Sequence, residues 1–108
     1  MCEVFKPKLP KDYVFGEGIK YDDDKLRYDL LPFEAIDEVV KVLNYGAKKY
    51  APNSWQKLDD GIERYTAALL RHISAWRQGE ANDKESGLPH LSHILCNAMF
   101  LVYLEGRK

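Results

Sequence analysis

Apolar residues recur at helical spacing in three separate stretches of this chain. Phe33, Ile36, Val40, Leu43 and Ala47 fall on one stripe. That spacing predicts a first helix with Pro32 in its first turn, where a missing amide donor costs nothing, ending near Lys49. Tyr50 to Leu58, with Pro52, Asn53 and Ser54, reads as a loop. A second helix is expected from about Asp60, with Glu63 three residues on completing a capping box. Ile62, Tyr65, Leu69, Ile73 and Trp76 mark its buried side, and Gly79 ends it. A third helix begins near Pro89, with Leu91, Ile94, Leu95, Ala98, Leu101 and Val102 on one face. Its other face carries His90, His93, Asn97, Phe100 and Leu104. No Asp, Glu, Lys or Arg interrupts Leu88 to Leu104, so this helix should be covered on both sides, most easily by another copy of the protein. Residues 1–31, with Pro7, Pro10, Gly16, Gly18 and the acidic run Asp22 to Asp24, read as irregular. The expected fold class is all-α, three principal helices with an N-terminal arm, assembled as a dimer or tetramer.

A length of 108 residues suits one domain. A chain this small buries only about two-thirds of its unfolded surface, so self-association adds useful core. Seventeen acidic residues against 16 Lys and Arg leave a net charge of -1, which gives no basic excess for a nucleic-acid polymer. Cys2 and Cys96 stand far apart, one in the arm and one in an apolar helical run, so no disulfide is expected and a reducing cytoplasm fits better. The start of the chain lacks an apolar secretory segment. The longest apolar run holds two histidines and an asparagine, so neither secretion nor membrane spanning is expected.

The candidate chemistry gathers between Arg71 and Asn97. Two histidine-bearing helical segments are joined there by the acidic connector Gly79 to Gly87. Folded antiparallel, the pair brings His72 toward His93 and Asn97 and leaves Glu80, Asp83, Glu85 and His90 around the turn. Such a group suits a hydrolytic metal site or proton transfer. His90, His93 and Asn97 project from one side of a helix, and a buried polar stripe must be satisfied, either by core hydrogen bonds or by His72 with a metal or phosphate. Glu34 and Glu38, with Asp37 beside them, either flank a divalent cation or form a solvated ion-pair face with Lys41. Asp83 and Glu85 also favour the start of the third helix, where Ser86 is a candidate cap. Lys20, Lys25, Arg27, Lys48, Lys49, Arg64 and Arg71 supply cations, and Trp55, Trp76 or Tyr50 offers a surface for a nucleobase.

The stretch from Lys20 to Pro32, KYDDDKLRYDLLP, resembles the opening motif of the phage dATP/dGTP diphosphohydrolase N-terminal domain family. The resemblance runs on through Gly46 to Tyr50, Asn53-Ser54-Trp55, Arg64-Tyr65, Arg71-His72 and Trp76. It closes on Gly79-Glu80, Asp83, Glu85 to Leu88, His90-Leu91 and His93. It covers residues 20–104 and implies a helical domain over 20–108 behind a flexible arm at 1–19. The implied fold is a MazG-like helical bundle. The implied activity is hydrolysis of purine deoxynucleoside triphosphates, dGTP and dATP, to monophosphate and pyrophosphate with Mg2+ or Mn2+, in a host cytoplasm if phage-encoded.

For that activity, our reading of the residues takes His72, His93 and Arg71 as catalytic candidates, the histidines because their pKa lies near neutrality. Lys25, Arg27, Lys48, Lys49, Trp55, Arg64, Trp76 and Asn97 would bind substrate, and Glu34, Glu38, Asp83, Glu85 and His90 would hold metal. Enzymes of that class hold metal through helical Glu-Glu-x-x-Glu and Glu-x-x-Asp motifs. Here the corresponding positions are Ala68, Arg71, His93 and Asn97. Either the metal is held differently, or the chain is a helical oligomerisation or nucleotide-binding module without the chemistry. Asp24 also stands where the family often has glycine.

Overall fold

Three α-helices, Phe33–Lys49 (α1), Gly61–Arg77 (α2) and His90–Glu105 (α3), make up the computed structural model, which describes residues 23–108. The all-α expectation holds. Among the described residues there is no strand, only an isolated antiparallel bridge between Asn82 and Pro89. The arm expected over 1–19, Cys2 and the motif positions Lys20, Tyr21 and Asp22 lie outside the described residues.

The chain divides between Leu31 and Pro32. In the first part, Tyr28–Leu30 form a 3-10 turn and Arg27 pairs with Asp29 at 2.6 Å. Asp24 has φ 72°, the left-handed region that glycine enters freely and Asp enters at modest cost. That backbone explains why glycine suits this position.

In the second part, α1 starts immediately after Pro32, whose carbonyl accepts the Ala35 amide at 3.0 Å. Its last turn carries Lys48 and Lys49, which complement the helix dipole. The expected loop after it contains a short 3-10 turn, Ser54–Lys57. The capping box expected at Asp60 and Glu63 does not form. Asp60 takes φ 55° and ψ 35°, whereas a capping side chain needs an extended backbone to reach the helix amides. The far end of α2 closes as expected at glycine. Gly79 has φ 101°, its amide bonds the Trp76 carbonyl, and the Glu80 amide bonds that of Ala75, both at 3.0 Å. These are the paired bonds of a Schellman motif.

Contacts fix the helix directions. Leu104, late in α3, lies 3.1 Å from the position of a Cβ on Gly61 at the start of α2, and Tyr65 meets Phe100. His72, late in α2, meets His90 and His93 at the start of α3. The two helices are therefore antiparallel, and α1 packs against α3 as well. Val39 and Val42 of α1 join Cys96 of α3 in a small core, with Leu43, Leu88 and Phe100 against it.

The buried faces differ from those read off the sequence. On α1, Val39 and Val42 are inside while Phe33 and Val40 are exposed. Apolar residues cover more than one stripe of this helix, and contact with α3 selects among them. On α3 the expected burial of His90, His93 and Asn97 holds, with Ser92 and Cys96 beside them, whereas Leu91, Leu95 and Val102, also expected to be covered, are exposed. Among the described residues only one of the two faces expected to be covered is so. Trp76, expected inside, is 39% exposed with the Arg77 guanidinium over its ring.

Candidate active site

The connector between α2 and α3 is held by its own backbone. Asp83 N–H donates to the Leu88 carbonyl and Gly87 N–H to that of Asp83, both at 2.8 Å. The Asp83 carboxylate accepts the Ser86 amide at 2.8 Å, and Gly87 turns the chain at φ 76°. The Ser86 hydroxyl, expected to cap α3, instead accepts the Leu88 amide at 3.1 Å and lies 2.7 Å from His93 Nε2. Pro89 occupies the capping position, with no side-chain bond to the helix amides. The turn thus spends its polar groups on the histidines.

Three imidazoles meet beside it. The His72 and His93 rings stack nearly parallel, centroids 4.4 Å apart, and His72 Nδ1 lies 2.8 Å from His90 Nδ1. His90 Nε2 lies 2.7 Å from Glu80 Oε1. A carboxylate only accepts, which assigns the proton to His90 Nε2 and leaves its Nδ1 lone pair to receive the Nδ1–H of His72. Burial, then the neighbouring His93, hold His72 below the usual histidine range, with Asp83 pulling partly the other way. Burial likewise lowers His93 against the pull of Asp83. Both are therefore neutral at pH 7. Burial pushes Asp83 up, but the Ser86 amide and hydroxyl, joined in acid by His93 and His72 once protonated, outweigh it and hold its carboxyl below the ordinary value. Asn97 donates to the His93 carbonyl at 2.9 Å. No buried side-chain nitrogen or oxygen among the described residues lacks a partner, which is how a polar stripe is tolerated inside so small a core.

This cluster opens on a cleft of about 900 Å³ bounded by α1, the 50–58 loop, α2 and α3. His72, His93, Asp83, Glu85 and Asn97 line it together with Lys49, Arg64 and Arg71. Tyr50, Trp55, Tyr65 and Phe100 add an aromatic lining. Trp55 stacks on Phe100 at 4.3 Å and meets the edge of Tyr103, while Tyr65 bonds the Trp55 carbonyl. Lys49 pairs with Glu85 at 2.6 Å, which raises its pKa further. Arg64 and Arg71 form no ion pair among the described residues. Ala68, Arg71, His93 and Asn97, where the resemblance led us to expect acids, all line this cleft.

The structure thus brings together the catalytic candidates His72, His93 and Arg71, the binding candidates Lys49, Trp55, Arg64 and Asn97, and the metal candidates Asp83 and Glu85. His90 stands behind the cleft lining, joined to it through His72. Lys48 and Trp76 are not among the lining residues. Lys25 and Arg27 belong to the separate first part. Glu34 sits exposed in the first turn of α1. Glu38 takes the ion-pair reading: Lys41 at 2.6 Å, then Ser92 at 3.1 Å, hold its carboxyl below the usual value. Sequence reasoning placed Glu80 in the group around the turn but gave it no partner, and it assigned no role to Ser86 as a histidine partner or to Ser92. The structure sets Glu80 against His90 Nε2.

Among the described residues, His72, Asp83 and His90 form a group whose nitrogen and oxygen donors all lie within 4.8 Å of one another. It contains one carboxylate. Also among them, no helix is long and apolar enough to cross a membrane.

Comparison with known proteins covers most of the chain. No solved structure matches the chain significantly. A curated protein of Salmonella phage PMBT28, named dATP/dGTP diphosphohydrolase, is 36% identical over 91 residues. The match covers 84% of this chain but only 31% of that protein, so the chain spans about a third of its relative's length. The profile of the family described as dATP/dGTP diphosphohydrolase, N-terminal, matches residues 16–108, which includes all three helices and the connector. The chain belongs to the dATP/dGTP diphosphohydrolase N-terminal family.

Proposed function

We propose that this domain hydrolyses purine deoxynucleoside triphosphates, dGTP and dATP, to monophosphate and pyrophosphate, the reaction of MazG-like enzymes. The observation that carries the reading is one cleft lined by arginines without an ion pair among the described residues, by neutral histidines and by stacked aromatics. Arg64 and Arg71 offer bidentate donors to phosphate oxygens, and Lys49 offers a point charge that must first exchange its Glu85 partner. The aromatic wall around Trp55 gives the base an apolar surface. Water attacks the α-phosphorus in line, the α–β bridging P–O bond breaks, and the pyrophosphate departs with that electron pair against the arginines. The attacking water's proton passes to neutral His93, or to His72 where no ion occupies its Nδ1, both within the cleft lining. The name of the phage relative supports the substrate class.

The donor set tests the implied metal. A magnesium ion seeks oxygen ligands, and a group with one carboxylate and two imidazoles does not fit it. Mn2+ fits this set better, with Asp83, His72 and His90 as the residues to hold it. When bound, such an ion supplies positive charge for the triphosphate and acidifies water.

Incubation of the protein with dGTP, dATP and their ribose counterparts, with Mn2+ or Mg2+, tests the reading by chromatography of the products. Monophosphate with pyrophosphate is expected, and an intact triphosphate pool under both metals would sink it. A second reading, a helical assembly or nucleotide-binding module, is favoured by the apolar row Leu91, Leu95, Met99 and Val102 exposed on α3. On either reading we propose a homo-oligomer, dimer or tetramer, joined through that row. Light scattering that returns a monomer at micromolar concentration refutes the assembly.

A further inference from the structure

We propose that His72, Asp83 and His90, with Glu80 behind His90, form a nitrogen-rich site for a first-row transition ion, one that takes Co2+ or Ni2+ more tightly than Mn2+ and does not take Mg2+. The proposal rests on the hydrolytic reading only for the use the ion is put to, not for its binding.

Two nitrogens bound to one ion at about 2.0–2.1 Å stand about 2.8–3.4 Å apart for angles between square and tetrahedral. His72 Nδ1 and His90 Nδ1 are 2.8 Å apart, at the square end of that range. An ion bound by both displaces their shared proton and sits to one side of the line between them, so the two rings need only tilt off that line toward it. Asp83 brings its carboxylate into the same group, all donors lying within 4.8 Å. The outer partners are also present. Glu80 receives His90 Nε2–H at 2.7 Å, the carboxylate–histidine arrangement that orients a ligating ring and leaves its other nitrogen free to bind. His72 is clamped face to face by His93, and Asp83 is fixed by the Ser86 amide.

Of the other carboxylates considered for metal, Glu38 on α1 is committed to Lys41 and Ser92, and Glu85 to Lys49. Imidazole-rich sets follow the order in which Mn2+ binds more weakly than Co2+ and Ni2+, while Mg2+ prefers oxygen and keeps its waters. Glu80 is a positioning residue here, acting on the ion through His90.

The test uses the full chain, stripped with a chelator and without nucleotide. Co2+ titration is expected to raise visible absorption that saturates at one equivalent, and Mg2+ in 100-fold excess is expected to leave that absorption unchanged. Glu80→Gln is expected to weaken Co2+ binding about 10- to 100-fold at the same stoichiometry. Glu38→Gln should bind as the parent does. Saturable absorption absent from the parent protein, displacement of Co2+ by equimolar Mg2+, or unchanged Co2+ affinity in a folded Glu80→Gln variant overturns the proposal. The competition on the parent protein decides the matter if the variant loses its helical circular dichroism. A chain that binds Co2+ yet turns over no triphosphate keeps the site and sinks the hydrolase. One that hydrolyses dGTP with Mg2+ alone and shows no Co2+ absorption does the reverse.

Discussion

Replacing Ser86 by Ala removes one oxygen and two hydrogen bonds, and the structure sets what that costs. The bond to His93 Nε2 is 2.7 Å long and the ring is buried, so its nitrogen is left without a partner. Asp83 Oδ2, the next acceptor, stands 3.8 Å away, beyond hydrogen-bond length. An unsatisfied buried polar group costs about 1–3 kcal/mol. The Leu88 amide loses its 3.1 Å acceptor too, but Leu88 is only half-buried and water replaces part of that bond. The sum is about 2 kcal/mol, which for a domain of this size lowers Tm by about 10 °C. Urea denaturation followed by tryptophan fluorescence measures the difference, with the m-value expected to stay constant. Ser74→Ala is the control. Its hydroxyl accepts an exposed bond from Gln78, so its loss should change stability by less than about 0.5 kcal/mol. If Ser86→Ala were as mild as that control, Ser86 would not be what holds His93 in place.

Two glycine substitutions should act in opposite directions. Gly46→Ala in α1 meets open space and is expected to stabilise by about 0.5–1 kcal/mol, whereas Gly79→Ala forces a side chain to φ 101° and is expected to cost about 1–2 kcal/mol, both read by thermal melts. Cys96 is fully buried and its thiol is pushed up to about 12, so at pH 8 it should resist iodoacetamide in the native protein and react in urea, as mass spectrometry of the labelled peptide will report. Free labelling of Cys96 under native conditions would contradict the packing. Without metal, Tm should fall as the pH drops below 6.5. His72 and His93 have folded pKa values depressed from 6.5, so the unfolded chain binds more protons there, and their stabilisation is full above the unfolded value and lost as pH falls toward the folded ones. A Tm that rises on acidification from pH 7 to about 5.5 would reverse that assignment.

Helix limits were legible because they follow local chemistry: Pro32 before α1, Gly79 after α2 and Pro89 before α3 each act on their own backbone. The meeting of His72 with His93 was legible as well, since a short connector between helices dictates an antiparallel return. The polar row of α3 was legible too, since His90, His93 and Asn97 read as one buried stripe in need of partners. Which groups satisfy it was not: Glu80, Glu38 and Ser86 come from other elements, while Asn97 turns back on the His93 carbonyl. Asp60 failed as a cap for a related reason: the residue type was right, and the left-handed backbone before α2 turned it away. Periodicity finds a helix, while the choice of buried face on a helix that is apolar nearly all round belongs to its neighbours.

The self-contained bonding of the 79–90 connector also bears on the order in which the molecule assembles. His72 and His90 are 18 residues apart, whereas Ser92 and Glu38, which join α3 to α1, are 54 apart. Closing the longer loop costs about 1 kcal/mol more in chain entropy. The α2–α3 pair therefore needs the shorter search, and its turn has bonds of its own to hold it while α1 is still undocked. Chemistry confined to a local hairpin is assembled from contacts that the nascent chain reaches soon after the ribosome releases them, ahead of the core that later shields it.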